Sequence, residues 1–377
     1  MDKKSHRKCI VYPWNVDGYV ELSYGYKRNL IKSLLTKYKT AKFIVKHLNV
    51  PEYWFNNFKR NNKIHTEDLY KVASLTNDGG IIKEIFQFND DKGSSSIPFM
   101  GRFPIKYDAL WHFLFCLSVG DGSISKGSKR TFVWYQKPEG QKLVVELLKK
   151  LNFDYKPSLY VTKKGLTIPQ LIRKIGSFIT TLDSSYEIKN NMVRVSSKLG
   201  KDYELAFLAA FFLDEAGMSK SKLNSEITLH QEGNLKFLEK VGELLTNLNV
   251  KWSKNKKGKD WCIRINSEGV IELSKLFDSL KKYNIDLLHR KEIFIKKVEM
   301  ANKTINRIPL RSESSSIKKY LLKEFGGKEI ALGEIKCLFR QSPTVSSRAR
   351  RLVYTMKKRS ELKPISFSKY IIKGVVE

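Results

Sequence analysis

An internal repeat of an apolar helix that ends in an acidic residue constrains this chain more than any other feature. Residues 114–124 read LFCLSVGDGSI, and residues 208–218 read LAAFFLDEAGM, and the two align without a gap. Asp121 and Glu215 occupy the same position in the two copies. A carboxylate is expensive to bury unpaired, and the negative end of the helix dipole disfavours it further. Two such anions brought together by helix packing would repel, and a divalent cation that prefers oxygen ligands, Mg²⁺ (or Mn²⁺), would relieve the repulsion.

The segments that follow each helix also repeat. A strand with a late glutamine comes next, at residues 132–136 and 227–231, and then an amphipathic helix. Further extended segments are predicted at residues 155–162, 250–254 and 261–265. The unit is helix–strand–strand–helix–strand–strand–helix, present twice, so we predict an α+β fold with two units related by a pseudo-twofold axis. The alternative is two buried helices in an ordinary α+β domain, because apolar helices usually form core.

The charge of the chain favours a polyanionic partner. The 70 Lys and Arg outnumber the 38 Asp and Glu, which gives a formal charge of +32. Such a charge repels itself in a compact fold unless a polyanion neutralises it. Nucleic acid is therefore the first predicted partner, and an anionic membrane surface is the second.

Other classes of protein fit the sequence poorly. The longest apolar stretches, residues 110–119 and 205–213, are shorter than the roughly 18 residues that span a bilayer. The four cysteines form no CxxC pair or Cys/His cluster, which argues against a zinc site or a disulfide framework. The N-terminus has no apolar signal region. We predict a cytoplasmic protein without membrane contact.

The segments that flank the repeat both predict helical DNA-binding domains. In the first, a helix-turn-helix pattern ends in a helix over residues 53–60, which offers Asn56, Lys59 and Arg60 to DNA. A small helical bundle that binds nothing is the alternative. In the last, the order helix, helix, turn, basic helix, strand is that of a winged helix. The polar face of its basic helix carries Ser346, Ser347, Arg348, Arg350, Arg351 and Lys357.

These patterns divide the chain into four predicted domains. They are an N-terminal helix-turn-helix-like domain with its linker (1–96), repeat 1 (97–200), repeat 2 (201–303) and a winged-helix-like domain (304–377). Within the repeats, the predicted DNA contacts are Lys129, Arg130, Lys254, Lys256, Lys257 and Arg264.

With these residues in view, the repeat resembles the LAGLIDADG homing endonuclease family, in which the motif helix ends in a metal-binding acid. Residues 207–215 (FLAAFFLDE) are the closer copy, and Gly120-Asp121-Gly122 resembles the family's GDG variant. The resemblance covers residues 97–303. It implies a monomeric pseudo-dimer that cuts both strands of a long double-stranded DNA site with Mg²⁺. Asp121 and Glu215 would be the catalytic metal ligands, with Gly120 and Asp214 beside them.

The resemblance implies further site residues. Gln136 and Gln231 match a glutamine that orients water around the metal. His289, or its rival Lys291, matches a basic residue near the end of the unit, and Lys189 is its counterpart in the first half. Each could equally contact a phosphate or lie on a solvated surface. Phe115 and Cys116 replace small residues of the motif helix, so we expect a wider contact between the helices on that side.

Three functions use this architecture. The first is an active, site-specific DNA endonuclease. The second is a DNA-binding transcriptional regulator on the same scaffold, whose flanking domains suit it. The third, less favoured, is an intron maturase that binds RNA. The retained acids favour the nuclease, because a pure binder has no use for two repelling carboxylates next to DNA.

Overall fold

The fold is α+β, mostly helical with small antiparallel sheets, as predicted. A computed structural model describes residues 9–91, 97–120, 132–134, 138–162, 165–182, 185–218, 225–231, 234–257, 260–305, 321–323, 325–331, 343–358, 362–366 and 369–372. The chain forms two compact units. Unit 1 is Met1–Ala216, Asn234–Leu244 and Leu276–Lys291; unit 2 is Gly217–Gly233, Leu245–Lys275 and Glu292–Glu377. The division into four domains stays a prediction.

The N-terminal part of unit 1 is a helical cluster with a small sheet. Its elements are β1 (Ile10–Val11), β2 (Tyr19–Leu22), α1 (Tyr24–Tyr38), α2 (Ala41–Leu48), α3 (Trp54–Arg60), β3 (Lys63–His65), α4 (Thr66–Thr76) and β4 (Ile85–Asn89). The sheet order is β3-β2-β4, antiparallel throughout. Thr40 caps α2, because its Oγ1 accepts a hydrogen bond from Phe43 N at 3.4 Å. The helix predicted at residues 53–60 is confirmed and begins one residue later.

The rest of unit 1 is built around the two motif helices. Its elements are β5 (Ile105–Lys106), α5 (Ala109–Gly120), β6 (Phe132–Trp134), α6 (Pro138–Lys150), α7 (Pro157–Tyr160), β7 (Leu166–Ile168), α8 (Gln170–Thr180), α9 (Ser185–Leu199) and α10 (Lys201–Glu215). The motif helices α5 and α10 pack against each other, and residues 205–213 of α10 are all buried. A helix that is apolar all round needs neighbours on every side, which accounts for this central position.

The motif helices run side by side in the same direction. Where they begin, the Tyr203 hydroxyl donates a hydrogen bond to the Tyr107 carbonyl at 2.7 Å, and the two rings stack 6.0 Å apart. Towards their ends, Cys116 lies near Asp214, and burial together with that carboxylate raises the pKa of the Cys116 thiol. The N-terminal ends of the two helices are in contact, and so are their C-terminal parts. The last residues of α5 and α10 therefore lie at the same end of the pair.

The large residue in the first motif helix is accommodated by a glycine. The ring of Phe115 packs against Gly176 of α8, where a Cβ atom would stand 2.3 Å from Phe115 Cδ2. The expected widening at Phe115 therefore needs correction: its bulk is taken up against α8. Cys116 is the residue of this pair that lies near α10.

The extended segment predicted over residues 155–162 is partly wrong. It contains α7, which starts at Pro157, where the fixed φ and the missing N–H of proline suit the first helical position. The amide of Val161 closes the turn on the carbonyl of Pro157 at 2.9 Å. The strand that pairs with β6 is instead β7.

Unit 2 contains two antiparallel sheets. The first has β9 (Ile227–His230), β10 (Trp252–Lys257) and β11 (Asp260–Ile265) in the order β10-β11-β9. Gly217, in the short β8 (Ala216–Gly217), accepts a hydrogen bond from Thr228 Oγ1 at 3.1 Å. The second sheet has the order β12-β14-β13. Its strands are β12 (Glu329–Ala331), β13 (Leu362–Ser366) and β14 (Lys369–Ile372).

The remaining helices are α11 (Leu235–Asn247), α12 (Ser267–Asp278), α13 (Lys291–Ile305) and α14 (Pro343–Lys358), with short 3₁₀ helices at Ser279–Tyr283 and Leu288–Arg290. The β13–β14 hairpin directly follows α14, at the position where the sequence predicts a wing. Within the described ranges, no helix has the length and apolar character needed to cross a membrane.

Candidate functional site

The common end of the motif helices carries the predicted acids. Glu215 is the last residue of α10 and is half-buried. Gly120 is the last residue of α5, and Asp121, which follows it directly, lies outside the described residues. The parallel course of α5 and α10 therefore brings Glu215 and the residue before Asp121 to one end of the helix pair.

An arginine holds the end of α10. Arg290 Nη1 donates to the carbonyl of Ala216, and Nη2 donates to the carbonyl of Asp214 at 3.4 Å. These two carbonyls flank Glu215. The last carbonyls of a helix carry partial negative charge and lack partners within the helix. The guanidinium offsets that charge, and this lets a carboxylate stand at a helix terminus that would otherwise disfavour it.

The two predicted basic residues beside Arg290 make other contacts, and their catalytic role stays a prediction. Lys291 is exposed, and its Nζ bonds Asp286 Oδ2 at 3.0 Å. His289 lies against α6, where a Cβ on Gly140 would be 2.7 Å from its Nδ1. The 3₁₀ helix Leu288–Arg290 directs successive side chains to different sides, so only the tertiary structure selects Arg290. The sequence indicates a basic residue here only through the run His289-Arg290-Lys291, in which Arg290 is the central residue.

Asp214 differs from Glu215 in its surroundings. Both of its carboxylate oxygens are inaccessible to solvent, and its side chain lies near Cys116 of α5. Its carbonyl accepts the hydrogen bond from Arg290. Glu215 is thus the described carboxylate at the end of the helix pair.

The donors at this end suit a hard cation. They are the carboxylate oxygens of Glu215, because the carbonyls of Asp214 and Ala216 already accept hydrogen bonds from Arg290, and carboxylate oxygens are ligands that Mg²⁺ and Mn²⁺ prefer. Among the described residues, no group of three His, Cys, Asp or Glu side chains is placed to hold a metal ion.

The other predicted catalytic residues have separate positions. Gln231 directly follows β9 in unit 2 and is half-buried. Lys189 belongs to α9 in unit 1. Gln136 lies outside the described residues.

The register of the first sheet in unit 2 separates its side chains into two faces. Leu229 pairs with Ile263, and both are buried, so this face belongs to the core. The opposite face has the buried Cys262 at its centre, paired with Asn255 and His230. Its polar side chains are Thr228, His230, Ser253, Asn255 and Arg264. We call these five residues the polar sheet face. Arg264 also forms an ion pair with Glu226.

The predicted lysines of β10 do not share that face. Lys254 pairs with Ile263 and Lys256 with Trp261, which places both on the apolar side of the sheet. Their ammonium groups lie 4.7 and 5.8 Å from the centroid of the Trp261 ring. Lys257 ends the strand. Successive residues of a strand point to opposite faces, so the alternation along β10 predicts that Ser253 and Asn255 share a face. A prediction from charge alone does not include these two residues.

Both flanking helices have buried apolar and exposed polar side chains among their described residues. In α3, Trp54, Phe55 and Phe58 are buried. The predicted DNA contacts Asn56, Lys59 and Arg60 are exposed. In α14, Val353 and Met356 are buried, and Arg351 and Lys357 are exposed. Of the other predicted contacts, Ser346, Ser347, Arg348 and Arg350 belong to α14, and Lys129 and Arg130 lie outside the described residues.

A comparison of the sequence with protein-family models gives no match, and a comparison with curated proteins gives none either.

Proposed function

We propose that the protein is a site-specific double-stranded DNA endonuclease of LAGLIDADG type, which hydrolyses phosphodiester bonds with Mg²⁺ (or Mn²⁺). The proposal is supported above all by the parallel packing of α5 and α10, which brings Glu215 and Gly120, the residue before Asp121, to the same end of the helix pair. The proposal includes a duplicated core, in which each copy has the order helix–strand–strand–helix–strand–strand–helix. In the second copy, the element order α10, β8, β9, α11, β10, β11, α12 supports it.

In this proposal, Asp121 and Glu215 would hold the metal. When bound, the ion supplies an activated water and stabilises the leaving oxygen. Arg290 acts on the acid through the helix end, so it is a positioning residue. Gln136 and Gln231 would orient water by accepting and donating hydrogen bonds, which an amide side chain can do at once.

The binding surfaces support a duplex as the substrate. The polar sheet face offers hydroxyl, amide, imidazole and guanidinium groups at strand spacing, which suits the edges of bases in a groove. The exposed cations of α3 and α14 suit phosphates. With a net charge of +32, the affinity for DNA should fall steeply as salt rises. We also propose that the protein acts as a monomer in the cytoplasm.

The decisive test is cleavage of a plasmid library that carries the genomic flanks of its own gene. We expect linear products with Mg²⁺ and none with EDTA. Asp121→Asn and Glu215→Gln should abolish cleavage while binding persists, because each removes a metal ligand and leaves the polar sheet face intact.

Tight binding of one site without cutting in Mg²⁺ or Mn²⁺ would instead favour the transcriptional regulator. The exposed polar residues of α3 and α14 support the regulator as the second candidate function. Preference for a folded intron RNA over duplex DNA would favour the maturase.

A further inference from the structure

We propose that the N-terminal part of unit 1 holds a second nucleic-acid site, in which an unpaired nucleobase occupies an aromatic pocket and its phosphates occupy an adjacent basic groove. This site is separate from the acids at the ends of the motif helices, and it does not depend on the nuclease proposal.

The pocket lies between α3 and the sheet strands β2 and β3. It has a volume of about 660 Å³, within the range of roughly 300–1,000 Å³ typical of small-ligand pockets. Tyr19, Trp54 and Phe58 line it with aromatic surface. The ring of Tyr53 also lines the pocket and is 65% exposed, so it can close on a ligand. Flat rings on a wall and at a rim are the arrangement in which unpaired bases stack.

The polar groups of the pocket suit the edge of a base better than a cation. Asn57, Asn61 and Asn62 line it with amides, which donate and accept hydrogen bonds as base edges require. The lining also contains two acids, Glu21 and Asp68, which would attract a cation. Asp68 already accepts a hydrogen bond from Trp54 Nε1 at 2.7 Å, and Glu21 accepts one from Gln87 Nε2 at 3.4 Å. The three amides can therefore pair with both the donors and the acceptors of a base edge, whereas a cation could use only their oxygens.

The adjacent groove suits phosphate. It lies along α1, has a volume of about 720 Å³ and is lined by three cations, Arg28, Lys32 and Lys59, together with Asn29 and Thr36. No acid belongs to its described lining. Lys59 is a residue of α3, so the same short helix contributes to the pocket and to the groove. A base and its phosphate are covalently joined, and two subsites on one helix match that connection.

A buried lysine fixes the helix end that serves both subsites. Lys27 Nζ donates to the carbonyl of Asn61 at 2.7 Å and to that of Lys59 at 3.3 Å. The side chain is almost fully enclosed, and burial lowers the pKa of its ammonium group. A bonded charge in this position holds Lys59 and Asn61 in a fixed relation.

The ligand has to be unpaired. In a duplex, the faces of a base are stacked and its pairing edge is used, so it can reach neither the rings nor the amides. Single strands, bulges and extruded bases offer both.

The test compares two ligands that differ only in their bases. The full-length protein is titrated with a short labelled single-stranded DNA and with an abasic strand of the same length, which keeps the phosphates. We expect the strand with bases to bind about 5- to 150-fold more tightly, the range that stacking of a base provides. Tyr53→Ala should remove this difference. The matched control is Tyr24→Ala, a tyrosine that is 76% exposed on α1 outside both subsites, and it should preserve the difference.

A second readout locates the site. Strands with iodouracil in place of thymine should cross-link on irradiation to Tyr53 or Trp54, identified by mass spectrometry. Equal affinity for the two strands, a difference that survives in Tyr53→Ala, or cross-links confined to unit 2 would each overturn the proposal. A labelled arginine-rich peptide provides one more test. The proposal would also be overturned if this peptide binds the native protein and Tyr53→Ala weakens binding of the peptide but not of the DNA strand. Loss of plasmid cleavage alone would leave the proposal standing.

Discussion

Replacing Arg290 with alanine removes the guanidinium from the end of α10. The carbonyls of Asp214 and Ala216 then lose their donor, and Glu215 faces the negative end of the helix dipole without a compensating cation. Lys291 is the matched control, because it is the next basic residue in sequence but pairs with Asp286 on the surface. Arg290→Lys keeps the charge but cannot span both carbonyls.

The structure sets the size of the effect. A hydrogen bond with a charged donor contributes roughly 1.5–3 kcal/mol, and the contact of Nη2 with Asp214 is long at 3.4 Å, so it adds a fraction of that. A cation at a helix C-terminus contributes about 0.3–1 kcal/mol more. We therefore expect Arg290→Ala to lower the free energy of unfolding by about 2–3 kcal/mol and Arg290→Lys by about half as much. Lys291→Ala breaks an exposed pair that contributes roughly 0–1 kcal/mol.

Two measurements check this expectation. Urea unfolding gives the free energy for each variant, and an unchanged slope with denaturant would show that only stability has changed. Amide hydrogen exchange of α10 reports the local effect, which should be fastest in Arg290→Ala. If Arg290→Ala and Lys291→Ala lose the same stability and α10 exchanges alike in both, the positioning role of Arg290 is refuted.

Further predictions concern packing and charge in unit 1. Gly176→Ala would place a methyl group 2.3 Å from the Phe115 ring and lower the free energy of unfolding by about 1–3 kcal/mol. In the control Gly25→Ala, the added methyl group meets nothing within 4 Å, so the free energy of unfolding should rise by about 0.4–1 kcal/mol. Equal urea midpoints for the two variants would contradict this expected difference. Burial raises the pKa of Asp90 to about 6. Its contribution to stability is then full below the ordinary pKa of about 3.9 and is lost as pH rises through 6. Asp90→Asn should thus be more stable than the native chain at pH 8 but not at pH 4, and a gain independent of pH would contradict this. Lys27→Met leaves two carbonyls at the end of α3 without their donor and should cost about 1–3 kcal/mol, seen as a lower melting temperature.

Much of the local structure follows from the sequence. Thr40 predicts the start of α2 because a hydroxyl before an apolar-periodic segment can cap a helix, and the cap is present. The continuous apolar composition of the motif segments predicts buried helices, and residues 205–213 are buried throughout. The error at residues 155–162 is also local, since Pro157 carried a helix-start signal that outweighs the extended pattern.

The candidate site was only half predictable. The repeat places Asp121 and Glu215 in equivalent positions, and equivalence alone predicts that they act together. Nothing in the sequence distinguishes Arg290 from His289 and Lys291, because the direction of each side chain depends on the 3₁₀ helix that presents it. The strand register is likewise a tertiary property: Lys254 and Lys256 are exposed on the side of the sheet that also carries Ile263, and their contact with DNA stays a prediction.

The sequence by itself determined that the fold is α+β, where most of the described helices and strands lie and that the chain is strongly basic. The duplication of the core and the pairing of the two acids stay predictions of the sequence repeat. Those properties depend on periodicity and composition, which are set by residues close together in the sequence. The tertiary structure decided that α5 and α10 run in the same direction, that Arg290 is the cation at the helix end and that α3 separates an aromatic pocket from a basic groove. These depend on contacts between residues far apart in sequence, and no local pattern records which of several equivalent side chains will meet.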